Sequence, residues 1–274
     1  MTHYPFPDSR GTKIAFAAFF TAMLFLARDS MFTTAVIGFE KAQFLMLGVI
    51  CLLGAAFLIV NRRKLPQILK DRRMIVAGIA AAVLLLPMLV KRDWQLMYFS
   101  VLLCLLTAVL LSYCLTVREA AKYYVAILSL LGAYSVLAAY ILRIGVDKGA
   151  YTVPVFQNSM GFEFHNFFLS IVPDTYVKNR NFGIFREPGV YQFFLITALY
   201  LNNYEVEWKK PWQLWLVNGI LATTMVSTFA TGGVAEMGLL AVVLFFDKKW
   251  YRDKRICAVA VGLVLCAAVV TGVS

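Results

Sequence analysis

Apolar residues in this chain are gathered into long continuous runs that short polar segments separate. A run of roughly 20 apolar residues can cross the hydrocarbon core of a bilayer as a helix. The pattern predicts an all-α polytopic membrane protein with about nine transmembrane helices and one long outer loop, within a single integral-membrane domain over residues 1–274. The predicted spans are 13–27, 43–60, 74–90, 94–116, 121–142, 188–202, 212–230, 233–246 and 256–273.

Lysine and arginine are unevenly distributed between the two sets of connecting segments. Cytoplasmic segments of membrane proteins are enriched in these residues. If the N-terminus is cytoplasmic, most of the 26 basic residues fall on the cytoplasmic side. The bias predicts that orientation, and it accounts for the net charge of +11 without a nucleic-acid partner.

Composition agrees with a membrane protein, since 61% of the residues are hydrophobic. The 5 cysteines all lie inside predicted spans, where they serve as small packing residues, so no disulfide framework is expected.

The longest polar connection, residues 144–186, combines aromatic side chains with asparagine, glutamine, glutamate and histidine. Long ordered loops are usually functional. Within this loop, residues 162–171 are predicted to form a short helix in the membrane interface. Aromatic faces beside amides suit sugar rings, and Phe164, Asn166 and Tyr191 are the candidates for that contact. The alternative is a lid that its aromatic residues anchor at the headgroup level.

Residues 180–189 place two arginines and a carboxylate where the chain leaves the predicted loop. Such charges cost several kcal/mol in hydrocarbon and normally face water, a partner or a ligand. Gly183 and Gly189 permit tight turns, and Pro188 suits the first turn of a helix. The segment therefore predicts a rigid cationic pocket for a phosphate-bearing ligand. Topology gives no reason for the basic residues on the outer side here, which are Arg143, Lys148, Lys178, Arg180 and Arg186.

The same segment resembles a motif of Wzy-type polysaccharide polymerases, which belong to the wider O-antigen ligase superfamily. Their pattern R-x-x-G-x-F-x-E-P-G is matched by Arg180, Gly183, Phe185, Glu187, Pro188 and Gly189. A weaker similarity to the Ser-Thr-Gly stretch of those proteins lies at Ser227-Thr228 and Gly232-Gly233, where three residues separate the pairs. The resemblance covers roughly residues 120–246.

The resemblance implies a polymerase that joins oligosaccharide repeat units linked to undecaprenyl pyrophosphate, at the outer face of the bacterial inner membrane. It implies no metal and no cofactor. Arginine binds phosphate oxygens through two donors at once, so Arg180, Arg186 and Arg143 are the candidates for the pyrophosphate. The structural alternative for the two motif arginines is a brace within the loop, with Arg186 paired to Glu187 or Glu163.

Transfer to a sugar hydroxyl also needs a general base. Glu187 lies beside Arg186, and its structural alternative is an acid at a helix N-terminus. Glu236 lies within a predicted span, where an acid is a functional candidate or half of an interhelical ion pair. His165 is one of only 2 histidines, and its alternative is a structural role. The three candidates remain open from the sequence alone.

Other classes of function remain as alternatives. A transporter or flippase of lipid-linked oligosaccharide would also need outer-face arginines, and an O-antigen ligase would use the same donor. A structural assembly subunit would leave those arginines unexplained. The expected partners of a polymerase are its lipid-linked substrate, a chain-length regulator and a flippase. Compared with the family the chain is short, so further C-terminal helices are expected to be missing.

Overall fold

The computed structural model describes residues 39–60, 65–92, 115–157, 161–174 and 180–252, with isolated positions between 18 and 113. The chain divides into two compact units, residues 1–229 and 230–274. The predicted spans 13–27 and 256–273 and much of 94–116 lie largely or wholly outside the described residues. The N-terminal segment, which the sequence predicts to be cytoplasmic, also lies outside the described residues.

The first described helices precede residue 92. Helix α1 is Phe39–Val60, α2 is the short Leu65–Leu69 and α3 is Arg72–Lys91. Asp71 caps the N-terminus of α3, because its carboxylate accepts a hydrogen bond of 2.9 Å from the Arg73 backbone N–H. That hydrogen bond to the charged form lowers the pKa of the Asp71 carboxyl.

One continuous helical stretch organises the first unit. Helix α4 is Val117–Leu137, a π-helical turn follows at Ala138–Leu142, and α5 is Arg143–Asp147. A capping box begins α4, in which Thr116 and Glu119 each accept a hydrogen bond from the backbone N–H of the other. The whole stretch has 31 residues.

Two further helices pack on α4 and on each other. Helix α6 is Pro188–Tyr204 and α7 is Pro211–Ser227, and each has proline in its first turn. The buried side chains between the three helices are Val125, Leu128, Leu195, Ala198, Leu221 and Met225. Gly132 allows α4 and α7 to approach closely, since a Cβ there would lie 2.7 Å from Thr224 Oγ1. Arg118 and Glu207 form an exposed ion pair at one end of the α4–α6 contact.

The 144–186 segment contains a small antiparallel sheet. Its strands are β1, Val155–Gln157, β2, Glu163–Asn166, and β3, Ile171–Pro173, in the order β1-β2-β3. Phe164 lies opposite Phe156 on one side and Pro173 on the other. Phe164, Ile171 and Phe182 form the buried core beneath this sheet.

The second unit contains helix α8, Thr231–Asp247, and a 3-10 turn at Trp250–Arg252. Most side chains of α8 are exposed, and Gly233 and Leu244 are its buried residues.

The predicted fold class, an all-α membrane protein with about nine spanning helices, was wrong. Residues 144–186 contain the three-stranded sheet, and the short helix predicted at residues 162–171 is instead β2, a turn and the start of β3. Within the described part of the chain, two helices are long and apolar enough to cross a membrane, Arg72–Lys91 and Val117–Asp147. Helices α6, α7 and α8 have 17 residues each, about 25 Å, which is at the short end of the length that a spanning helix needs.

Candidate functional site

Asn181 anchors the 180–189 segment to the helix bundle. Its side chain is buried, and its amide nitrogen donates hydrogen bonds of 2.9 Å to both Ser135 Oγ on α4 and Ser227 Oγ on α7. Its side-chain carbonyl accepts the Gly183 N–H at 2.9 Å. Its own backbone N–H donates to the Ser227 carbonyl at 2.9 Å. One residue therefore fixes the loop to two helices.

The two serine hydroxyls complete this network in defined directions. Ser135 Oγ donates its only proton to the Gly132 carbonyl at 2.8 Å, so Tyr191, 3.1 Å away, is the donor to Ser135. Ser227 Oγ donates to a carbonyl one turn earlier in α7, at 2.6 Å. The Tyr191 hydroxyl is thus buried and committed to the network. Because the Tyr191 side chain is buried, it has no exposed surface for the predicted contact with a sugar ring.

Gly183 and Phe185 shape the segment from within. Gly183 has φ +57°, which favours glycine, and a Cβ there would lie 2.6 Å from the Tyr191 ring. The buried Phe185 ring stacks on Phe194 with centroids 4.7 Å apart and lies 5.3 Å from the Tyr191 ring. These two motif residues therefore hold the backbone in place.

The charged residues of the segment lie on its exposed side. Arg180, Arg186 and Glu187 are all exposed. Arg186 Nη2 lies 3.5 Å from Glu187 Oε1, which is the ion pair expected as one alternative. Glu187 precedes α6 with an extended backbone, and its carboxylate makes no capping hydrogen bond. Two guanidinium groups and one carboxylate are thus exposed to solvent above buried residues of the same segment.

Arg143 lies in a different environment from the other two predicted phosphate ligands. Its side chain is only 6% exposed. Nη2 donates to the Asp174 carbonyl at 3.1 Å, and Nε lies 3.5 Å from Asp147 Oδ2. In this position Arg143 braces α5 against the end of β3.

His165 belongs to the same cluster. Its Nε2 lies 3.3 Å from Asp174 Oδ1, and its backbone pairs with Val155 and Val172 in the sheet. Its Nδ1 is buried and has no hydrogen-bond partner among the described residues. The structure thus brings together Arg143, His165 and Asp174. Sequence reasoning missed Asp174, whose only signal was a carboxylate in a polar loop.

The remaining sequence candidates are distributed over several places. Phe164 is buried in the core of the sheet, stacked on Phe156 at 5.7 Å. Asn166 uses its side-chain carbonyl to accept the Phe168 N–H at 2.9 Å. Glu236 lies on α8 in the second unit, where its side chain is exposed.

An open groove of about 430 Å³ lies between α4 and α7. Its lining is mostly apolar, and the hydroxyl of Thr224 is committed to the Ile220 carbonyl at 2.8 Å. Thr224 is also one turn from Ser227, which binds Asn181. The groove therefore ends close to the scaffold of the 180–189 segment. Its lining residues are Ala133, Val136, Trp215, Leu216, Gly219, Ile220, Thr223 and Thr224.

The described residues contain no group of three or more His, Cys, Asp or Glu side chains that could hold a metal ion. No protein-family model, curated protein or solved structure matches the chain.

Proposed function

We propose that the chain is a polysaccharide polymerase that transfers a glycan from undecaprenyl pyrophosphate to a second lipid-linked repeat unit. The proposed location is the outer face of the bacterial cytoplasmic membrane. The observation that supports this proposal best is that residues 180–189 combine buried, fixed side chains with exposed arginines. Asn181, Gly183 and Phe185 are buried and fixed, while Arg180 and Arg186 are exposed.

In the proposed reaction, Arg180 and Arg186 bind the oxygens of the pyrophosphate. Guanidinium groups offer planar pairs of donors that match phosphate geometry. Negative charge accumulates on the pyrophosphate as its bond to the sugar breaks, so donors held in position stabilise the transition state. The fixed backbone between Arg180 and Arg186 limits the reorganisation needed when that charge develops.

The groove between α4 and α7 would hold the first few isoprene units of the polyprenyl chain of the donor. An apolar lining suits a hydrocarbon chain. The end of the groove at Thr224 is joined through Ser227 to Asn181, which is next to Arg180 in the chain. A lipid in the groove would therefore bring its pyrophosphate to the exposed arginines.

Glu187 would assist the acceptor. The acceptor hydroxyl oxygen attacks the anomeric carbon, the bond from that carbon to the pyrophosphate oxygen breaks, and undecaprenyl pyrophosphate leaves. The hydroxyl proton passes to Glu187, or Glu187 acts by orienting the Arg186 guanidinium 3.5 Å away. His165 is less suited to be the base, because one of its nitrogens faces Asp174 and the other is buried.

The test is synthesis of polymer by purified protein from a lipid-linked repeat unit in detergent, read as a glycan ladder on a gel. We expect Arg180→Ala and Arg186→Ala to shorten or abolish the ladder. Arg118→Ala is the matched control, since Arg118 is also exposed but pairs with Glu207 at the other end of α4. Wild-type ladders from both test variants would remove the pyrophosphate site from this segment. No ladder from the wild-type protein would favour the transporter alternative, because transport has no product in detergent.

A further inference from the structure

The turn between β2 and β3 exposes an aromatic side chain on a strained backbone. Phe168 has φ +70°, which is uncommon for a bulky residue, and it is 76% exposed. Strain of this kind persists only where the surrounding structure fixes the backbone, and it often marks a functional position. The exposed ring is therefore a feature that the fold maintains.

Hydrogen bonds on both sides hold the turn. Asn166 Oδ1 accepts the Phe168 N–H, and the Phe167 N–H donates to the Ser170 carbonyl, both at 2.9 Å. The Tyr134 hydroxyl on α4 donates to the Phe167 carbonyl at 2.6 Å. The Phe167 ring is buried beside the π-helical turn that follows α4. The turn is thus attached to α4 while the Phe168 ring stays outside.

The face of α4 to which the turn is attached is apolar and exposed. Leu130 and Leu137 lie four residues before and three residues after Tyr134, which places all three on one side of the helix. Both leucines are exposed. They belong to one of the two described stretches that are long and apolar enough to cross a membrane. The apolar face of this helix is therefore continuous with the Phe168 turn.

The turn between β2 and β3 lies near the C-terminal end of α7. Tyr134 precedes Ser135, which Asn181 connects to Ser227, the last residue of α7. Helix α7 is about 25 Å long, close to the roughly 30 Å of a hydrocarbon core. Aromatic side chains are enriched at the boundary between hydrocarbon and headgroups.

We propose that Phe168 is inserted into the outer boundary of the phospholipid bilayer and holds the sheet at a fixed depth. Residues 166–171 contain no charged side chain that would oppose insertion. The inference rests on the membrane location within the proposed function, but it does not depend on the pyrophosphate chemistry.

Fluorescence quenching in vesicles tests this. Phe168→Trp, Leu130→Trp and Lys148→Trp would each be reconstituted into phosphatidylcholine–phosphatidylglycerol vesicles, with and without dibrominated phosphatidylcholine. The signal is the tryptophan fluorescence of each variant minus that of the wild-type protein, which has 5 native tryptophans. Lys148 is exposed at the end of α5, roughly 20 Å along the helix from Tyr134. We expect brominated lipid to quench Trp at 168 and 130 by more than half, whereas aqueous acrylamide should quench Trp at 148.

Each other outcome contradicts a specific part of the inference. If brominated lipid quenches Trp at 130 but not at 168, α4 is in the bilayer and Phe168 is not. The proposed insertion is then wrong, and a contact between Phe168 and the glycan replaces it. Loss of polymer in Phe168→Leu would support that replacement. If lipid quenches at neither position, the membrane location itself fails. Leu169→Trp, in the same turn, serves if Phe168→Trp does not fold. Failure of the arginine test would leave the quenching result valid.

Discussion

The side-chain amide of Asn181 donates a hydrogen bond to the Ser227 hydroxyl across 2.9 Å, and the Asn181 backbone N–H donates to the Ser227 carbonyl at the same distance. This double contact attaches the loop to the last residue of α7. Because Arg180 is the preceding residue, the backbone that presents its guanidinium is fixed by a buried neighbour. The geometry of the proposed site thus depends on a buried residue that is not itself a proposed contact of the pyrophosphate.

Asn181→Ala should destabilise the protein by about 2–4 kcal/mol. The change removes two donated hydrogen bonds and leaves the Gly183 N–H buried without its acceptor. Thermal unfolding of the detergent-purified protein measures the effect. Arg180→Ala is the neighbouring control and should melt close to wild type, because its side chain is exposed. Equal melting of the Asn181 variant and wild type would show that the network does not hold the loop.

Gly183→Ala should destabilise the protein by more than the cost of a left-handed backbone alone, which is roughly 1–2 kcal/mol. The added Cβ would lie 2.6 Å from the Tyr191 ring, at φ +57°. Gly149→Ala isolates the backbone cost, because φ is +70° there and no atom lies within 4 Å of the added Cβ. Gly189→Ala has neither problem and should be neutral or mildly stabilising. Melting temperatures of the three variants give the comparison, and equal losses at 183 and 149 would exclude the ring contact.

The sequence located several elements but not the architecture. The apolar runs at 188–202 and 212–230 fall within a few residues of Pro188–Tyr204 and Pro211–Ser227. Apolar content does not distinguish a helix that crosses a bilayer from a shorter apolar helix. The predicted fold class was wrong because every long apolar run was interpreted as a spanning helix. The sheet was missed because its strands have three or four residues, too few for a clear periodicity. At β2, the alternation of apolar and polar residues in Phe162-Glu163-Phe164-His165 was the available signal.

For the candidate site, the sequence indicated which residue types matter and little about their environment. The motif predicted a rigid segment with exposed charge, yet the buried Asn181 at one of its variable positions was not singled out. Its role depends on Ser135 and Ser227, which are 46 residues away on either side. Burial of Arg143 and Tyr191 likewise follows from tertiary packing. Local sequence carries no information about such distant partners.

Arg180→Lys should retain the charge and lose much of the activity. An ammonium group cannot offer the planar pair of donors that a phosphate accepts from arginine. The expected cost is about 1.5–3 kcal/mol, or roughly 10- to 150-fold in rate. The measurement is the rate of polymer synthesis, with Arg118→Lys as the control. If the Arg180→Lys variant is as active as wild type, charge alone suffices at this position.

If the predicted span 94–116 crosses the membrane between the two candidate spanning helices, the residues before the first of these helices and after the second should lie on opposite sides. Lys70 precedes α3 and Lys148 follows α5, and both side chains are exposed. In intact cells, a membrane-impermeant thiol reagent should label Lys148→Cys and spare Lys70→Cys, above the background of the native cysteines. Permeabilised cells should label both, which is the control for access. Labelling of Lys70→Cys alone in intact cells would reverse the orientation.

The last prediction compares the two glutamates. Glu187 is exposed next to Arg186, whereas Glu236 is exposed on α8 in the second unit. If Glu187 takes the proton of the acceptor hydroxyl, Glu187→Gln should slow polymer synthesis on the order of 100-fold or more, because an amide cannot accept that proton. If it only orients Arg186, the loss should be about tenfold, and Glu187→Asp should restore part of it.

Glu236→Gln is the matched substitution and should give polymer of wild-type length. Both changes are isosteric and lie at exposed positions, so both variants should melt close to wild type. Polymer length and rate would be read for each variant beside its melting temperature. A fully active Glu187→Gln with an inactive, well-folded Glu236→Gln would move the catalytic carboxylate to the second unit. Full activity of both would exclude either carboxylate as the base and return His165 to consideration, with His165→Gln as the variant that decides it.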